Sequence, residues 1–201
     1  MNLLTNWGYS LVDIPILPDM INVAEFDAFT AGKYSGDKRI APSLRAAQEA
    51  IRNYCGWHVY PTLPCEYVTD SENIGRMIQL PARYVTDVES VTFRGVELDA
   101  AFYHLKPNGL LVFDRQICGC GWNDIVVRYN AGIPDPLMGA INELIAHRVT
   151  HALAQSYGVQ SEAAGGVSIT YNATWTNNAR ATALPDDNKE VLAPYKLQGV
   201  F

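Results

Sequence analysis

Between Trp57 and Tyr129 the apolar residues recur at every second position, whereas before and after that stretch they recur at every third or fourth. A period of two places alternate side chains on opposite faces of a strand, and a period near 3.6 lines one face of a helix. The order helix, strands, helix in one chain therefore restricts the fold to an α+β arrangement in which strands are inserted between helical segments. The strand candidates are "WHVYP", "CEYVTD", "RMIQLP", "VESVTFRG", "AFYHLKPNG", "LLVFD" and "DIVVRYNAG", each rich in β-branched or aromatic residues and bounded by turn residues. "FRGVEL" and "KPNGLL" predict hairpin turns, because Gly95 and the Asn108–Gly109 pair tolerate positive φ. The Leu80–Pro81 step separates one strand from the next, and a sheet so divided has exposed edges that another chain can pair with.

Three helices follow from their caps. "NVAEFDAFTAG" has Asn22 as cap, Glu25 at the capping-box position and Gly32 as stop. "APSLRAAQEAIRNYCG" carries Leu44, Ala47, Ile51 and Tyr54 at helical spacing, with Pro42 in its first turn and Gly56 at its end. "DPLMGAINELIAHRVTHALAQSYG" opens on Asp135 and Pro136, aligns Leu137, Ile141, Leu144 and Ile145, and stops at Gly158. Beyond it, "SEAAGG" reads as a flexible link, "VSITYNATW" as a strand, and "TNNARATALPDDN" as a polar connection to an apolar tail, "NKEVLAPYKLQGVF". Chain ends are usually polar unless something ties them down, so this tail is expected to bury its apolar residues against a partner or against its own domain.

The expected organisation is an N-terminal arm over 1–21, an α+β domain over 22–184 with its β-excursion at 57–130, and a C-terminal tail over 185–201. A chain of 201 residues with 48% hydrophobic and 18% charged residues forms a sizeable core around one domain. No apolar run reaches the roughly 18 to 20 residues of a membrane span, and the opening stretch lacks a basic n-region, so no membrane association and a cytoplasm-like site of synthesis are expected. The net charge of −6 disfavours binding to a phosphate backbone, which requires clustered Lys and Arg. The four cysteines, Cys55, Cys65, Cys118 and Cys120, do not make a disulfide framework for a chain of this length, and free thiols are expected.

Catalytic signatures are sparse. His147 and His151 stand four apart on the third helix and share a face, the geometry of paired metal ligands, but no Glu follows His147 as in a zinc-protease helix. "CGC" at Cys118 and Cys120 is tighter than the usual thiolate spacing of a structural zinc site. No nucleophile elbow, phosphate loop or dinucleotide fingerprint is present, and Asp70, Glu72, Asp87, Glu89, Glu97 and Asp99 are scattered as an exposed sheet face scatters them. No catalytic residue, metal or cofactor is expected. The alternative from another class is a metal-binding enzyme or module using His147 and His151 or the cysteine pair.

In order along the chain, "RIAPSLRAAQEAIRNYCGWHV", "IQLPARYVTDVESVTFRGVEL", "NGLLVF", "IVVRYNAGIPDPLMGAINELI" and "LAPYKL" resemble the head-tail connector (adaptor) proteins of long-tailed bacteriophages. The resemblance covers most of residues 22–197 and rests on a succession of apolar, Gly and Pro positions. It leaves the first twenty residues and the "CGC" turn unmatched.

The resemblance implies a small helical core with an inserted antiparallel β-excursion and an extended C-terminal arm. It implies a structural virion protein of the neck, at the head-tail interface, with no reaction catalysed. Such a protein docks on the portal protein as a cyclic homo-oligomer of about twelve subunits and extends the channel through which DNA passes without sequence-specific binding. It also provides the platform for a stopper or tail-completion protein, and a stopper or tail-completion role for this chain itself is the nearest alternative. By position, Leu192, Pro194, Tyr195, Lys196 and Leu197 match the portal-binding segment of that family.

Overall fold

The computed structural model describes residues 2–71, 75–117, 119, 121–154, 161–164, 167–170, 184 and 186–197. It is α+β, as the change of period requires, and divides into two compact units. One holds Met1–Pro18, Cys55–Leu137 and Tyr195–Phe201; the other holds Asp19–Tyr54 and Met138–Pro194.

The second unit contains the helices. α1 (Val23–Phe29) begins at Asn22, whose Oδ1 accepts from the Glu25 N–H at 3.0 Å while the Glu25 carboxylate accepts from the Asn22 N–H at 2.8 Å. This reciprocal pair is the capping box expected from sequence. α2 (Ile40–Cys55) buries Ile40, Leu44, Ala47, Ile51 and Cys55 along one stripe and is followed by Gly56 at φ 78°. Gln48, 2% exposed, accepts the Met20 N–H and donates to the Ile21 carbonyl at 3.4 Å, so the residues ahead of α1 are tied to the middle of α2.

α3 (Gly139–Ala154) starts later than Asp135 and Pro136 suggested. Asp135–Leu137 forms a separate 3-10 turn, closed by the Leu137 N–H on the Pro134 carbonyl at 2.9 Å. Ile141, Leu144, Ile145, Ala146, Val149 and Leu153 of α3 are all buried, and the Arg39 guanidinium donates to the Leu153 carbonyl at 3.3 Å near the helix C-terminus. The connection read from "SEAAGG" as a link is instead part of a hairpin. β10 (Ser161–Ala164) pairs antiparallel with β11 (Val167–Thr170), with Ser161 opposite Thr170 and Ala164 opposite Val167. The tail carries a short helix, α4 (Asp186–Leu192), and a 3-10 turn at Ala193–Tyr195. Asp186 and Asp187 occupy the favourable N-terminal turn of α4, and the Tyr54 hydroxyl donates to the Lys189 carbonyl at 3.3 Å.

The first unit is built on two antiparallel sheets. The larger is ordered β1 (Leu3–Leu4), β2 (Ser10–Leu11), β3 (Leu63–Thr69), β9 (Ile125–Ala131), β5 (Val85–Phe93), β6 (Val96–Glu97). The smaller is ordered β4 (Gly75–Gln79), β8 (Leu110–Ile117), β7 (Tyr103–Lys106). Central β9 alternates as a half-covered strand does: Ile125, Val127, Tyr129 and Ala131 are 0% exposed, while Arg128 faces out and pairs with Glu66 at 2.9 Å. The β5–β6 turn places Arg94 and Gly95 both at positive φ, 52° and 77°, which is the twist a two-residue hairpin loop requires. Gly109, at φ 74°, closes the β7–β8 loop, where a Cβ would stand 2.4 Å from the Ala82 carbonyl oxygen.

"WHVYP" forms no strand. Trp57, His58 and Val59 are each 0% exposed, so the segment has no alternating faces, and positive φ at Gly56 (78°) and Val59 (68°) turns the backbone out of extended geometry. The N-terminal arm, in contrast, joins the sheet through Ser10↔Glu66 and Leu11↔Cys65, with Tyr9 and Leu11 buried.

Candidate functional site

The segment Cys55–His58 holds both ends of the chain. On the N-terminal side, the Tyr9 hydroxyl lies 2.6 Å from His58 Nδ1 and accepts the His58 backbone N–H at 3.0 Å. His58 Nε2 faces two carbonyls, Ala131 at 2.8 Å and Pro61 at 3.1 Å. Carbonyls only accept, so Nε2 carries a proton, and in that tautomer Nδ1 accepts the hydrogen bond of the Tyr9 hydroxyl. On the C-terminal side, the Trp57 indole N–H donates to the Tyr195 carbonyl at 2.8 Å and the Leu197 N–H donates to the Cys55 carbonyl at 2.9 Å. The Leu197 side chain closes over Gly56, where an added Cβ would be in ordinary contact at 3.7 Å.

Of the tail residues expected to bind a portal, Leu192 is 0% exposed, Tyr195 and Leu197 are half-buried, and Pro194 and Lys196 are exposed. The main chain of Tyr195 and Leu197 is thus seated on Trp57 and Cys55, by side-chain and backbone donors that a sequence 138 positions away gives no sign of.

A second constellation joins the β8–β9 loop to the end of β3. Asp124 accepts the Ser71 N–H at 2.8 Å, the Ser71 hydroxyl at 2.6 Å and the Arg94 Nε–H at 3.5 Å. Burial alone raises the Asp124 pKa, but the Ser71 and Arg94 hydrogen bonds prevail and hold it below the usual carboxylate value. The Asn123 N–H bonds Asp70 at 2.6 Å and the Arg94 N–H bonds the Asp124 carbonyl at 2.7 Å. This loop presents Trp122, which is 83% exposed.

Among the described residues, His147, His151, Cys55 and Cys65 do not gather into a metal site. His147 is exposed, and His151 is half-buried with its pKa lowered by burial and then by the charge of His147. Cys55 and Cys65 are free, buried thiols, both pushed up to about 12 by desolvation. Among the described residues no group of three or more His, Cys, Asp or Glu side chains gathers to hold a metal ion; Cys118 and Cys120 lie outside them. No described helix is long and apolar enough to cross a membrane.

Comparison with known proteins places this geometry. The chain is similar in fold to a chain in the neck of a native GTA particle computed with C12 symmetry, at 16% identity and a TM-score of 0.57, with 95% of this chain and 97% of that chain covered. It is also similar to a chain in the neck of an empty GTA particle computed with C6 symmetry, at 20% identity and a TM-score of 0.54, with the same coverage of 95% and 97%. No curated protein sequence matches it. A family model described as head completion protein matches residues 19–197, nearly the whole chain from the end of the N-terminal arm to the seated tail. On that match the chain belongs to the head completion protein family.

Proposed function

We propose that this chain is a structural protein of the virion neck: a head-tail connector that docks on the portal as a ring, extends the DNA channel and carries the next neck component. The observation that carries this reading is the family match over residues 19–197, and the fold likeness to chains of particle necks computed with C12 and C6 symmetry supports it. A neck connector works by geometry, and the sheet, helices and caps described above form a scaffold for contacts. The net charge of −6 suits a channel wall that DNA passes without adhering, since like charge forms no fixed phosphate contacts.

In this reading the tail, Leu192, Pro194, Tyr195, Lys196 and Leu197, is the portal-binding segment, with Pro194 and Lys196 already exposed to meet it. Many identical tails on one ring engage at high effective concentration, which makes a short segment sufficient. The test is affinity capture from infected-cell lysate with the full chain and with a chain ending at Leu192, which keeps α4. Portal recovered only with the full chain supports both the connector and the tail; portal recovered with both removes the tail from the contact; portal recovered with neither overturns the connector.

A further inference from the structure

The smaller sheet has β8 at its centre, so β4 and β7 each have one side with no strand beside it. The larger sheet protects its edges by making them short: β1 and β6 are two residues long and offer another chain little to pair with. β4 and β7, at five and four residues, are not shortened in that way. The Leu80–Pro81 step parts β4 from β5, and the two strands enter different sheets.

The registers show which groups these edges present. Met77 and His104 both stand opposite Val112, so the three form one row on one face of the sheet. The Leu80 N–H bonds the Gly109 carbonyl at 2.9 Å and continues the same register, which makes Leu80–Gly109 and Ile78–Leu111 bonded pairs of the β4–β8 ladder. Bonded and non-bonded pairs alternate in an antiparallel ladder, so the N–H and C=O of Met77 and Gln79 point away from β8. Leu111 turns its own groups to β4, so Val112 and Leu110 bond His104 and Lys106 on the other side. The N–H and C=O of Tyr103 and Leu105 then point out at the β7 edge.

β4 and β7 both run antiparallel to β8 and are therefore parallel to each other. A second copy displaced across the strands brings its β7 beside β4 with the N-terminal ends together. Aligned on the Met77 row, the Met77 N–H meets the Tyr103 carbonyl of the next copy, the Leu105 N–H of that copy meets the Met77 carbonyl, and the Gln79 N–H meets the Leu105 carbonyl. This is the slanted pattern of a parallel pair, and it ends where Pro107 has no N–H to give. The charges at the N-terminal ends are opposite. Arg76 is exposed and takes part in none of the ion pairs among the described residues. Glu97 and Asp99, also exposed, lie close to the start of β7: the Tyr103 phenol pKa is raised by burial and then by their charges. Met77, 57% exposed, and Phe102, 47% exposed, add apolar surface at the same ends.

We infer that neighbouring copies of this chain join edge to edge, β4 of one pairing in parallel with β7 of the next, so that the smaller sheets run on from copy to copy. The occupant is a second copy because the two edges match each other in direction, in the groups they present and in charge. They are different strands on opposite sides of one sheet, so the contact is heterologous, and repeated with a fixed rotation it closes into a ring. A twofold contact would instead set β4 against β4, antiparallel. The inference rests on the ring reading above and specifies the surface that reading leaves open.

The experiment treats the full chain carrying Met77→Cys, His104→Cys or both with dibromobimane, which bridges only thiols a few ångströms apart. It is run on the chain alone and on the complex captured with the portal. The unaltered chain gives the background from its own cysteines, and thermal melting checks that each variant keeps the fold. Within one chain Met77 and His104 are two strand spacings apart, about 10 Å, and out of the reagent's reach. The expected result is no covalent dimer from either single variant, dimers from an equimolar mixture of the two, and a ladder of oligomers from the double variant. Gln79→Pro removes an N–H that points away from β8, and should weaken association in sedimentation velocity at least about fivefold, the worth of one net hydrogen bond. Dimers from Met77→Cys alone would mean that β4 meets β4 and overturn the inference. Rings seen by electron microscopy with no cross-link in the mixture leave the ring standing and overturn this surface. A different protein lost from the captured complex in Gln79→Pro, with association between copies unchanged, overturns the choice of occupant. A chain that stays monomeric at every concentration, alone and with the portal, overturns the ring reading and this inference with it.

Discussion

The Tyr9 hydroxyl donates to His58 Nδ1 at 2.6 Å and accepts the His58 backbone N–H at 3.0 Å, so one side chain satisfies two buried polar atoms of the same residue. Tyr9 is 1% exposed and His58 0%, and water cannot replace the phenol. Tyr9→Phe keeps the ring and removes both hydrogen bonds, at a cost of about 2 to 3 kcal/mol. For a chain of this size that lowers Tm by roughly 4 to 12 °C. A calorimetric melt of the variant checks it, and a change within about 1 °C would show that the arm is not held through this pair.

The seat of the tail is tested from the other side. Trp57→Phe retains most of the buried aromatic surface but removes the donor to the Tyr195 carbonyl. One net hydrogen bond is worth about 1 kcal/mol, a factor of about five in the population with the tail released. Lys196 follows the bonded carbonyl and is exposed, so limited trypsin digestion reads that population directly. Cleavage after Lys196 is expected to run about fivefold faster in Trp57→Phe at equal global stability.

Local signals were the legible ones. The Asn22 capping box, the Gly56 stop, the Arg94–Gly95 turn and the strands around β9 all depend on residues a few positions apart, and each is found in the structure. "WHVYP" misled because its residues are β-formers by type, while the three consecutive side chains Trp57, His58 and Val59 are all buried. "SEAAGG" misled because Ser161–Ala164 pair with Val167–Thr170, and small and polar residues carry little strand signal of their own. The partners of Cys55–His58 lie 49 positions away at Tyr9 and 138 at Tyr195, and no periodicity encodes such pairings. Trp122 was visible as a residue; its exposure was not, because exposure depends on the Ser71–Asp124 bonds across the turn.

Buried thiols give a chemical readout of the core. Desolvation pushes Cys55 and Cys65 up to about 12, so at pH 8 about one part in ten thousand is thiolate, and access is closed as well. Peptide mapping after brief iodoacetamide treatment should find both unmodified in the native protein and both alkylated in denaturant. The sign of the linkage is also fixed. A thiol whose folded pKa lies above its unfolded value contributes stability that is intact below pH 9 and is lost as pH rises from there towards 12. Replacing either cysteine with Ala should therefore flatten the alkaline limb of the stability curve, at the expense of some core packing.

Asp124 acts at the acid limb. Burial works against its charge, but hydrogen bonds from Ser71 and then Arg94 win, and its folded pKa lies below the ordinary carboxylate value. The stability it contributes is present above pH 4 and is lost as pH falls through the lower folded value. Asp124→Asn removes that titration while keeping the size of the side chain, and turns one acceptor oxygen into a donor that faces the Ser71 hydroxyl. The expected outcome is a Ser71 anchor that is loosened at pH 7 and whose protection factor no longer changes between pH 5 and pH 2, while the Asp70 bond to Asn123 is kept. Amide exchange at Ser71 and Asn123, whose N–H groups bond to Asp124 and Asp70, is the measurement. Protection at Ser71 that is equal in the variant and the unaltered chain at pH 7 would mean that the loop is held by its backbone alone. Trp122 would then not owe its position to this carboxylate.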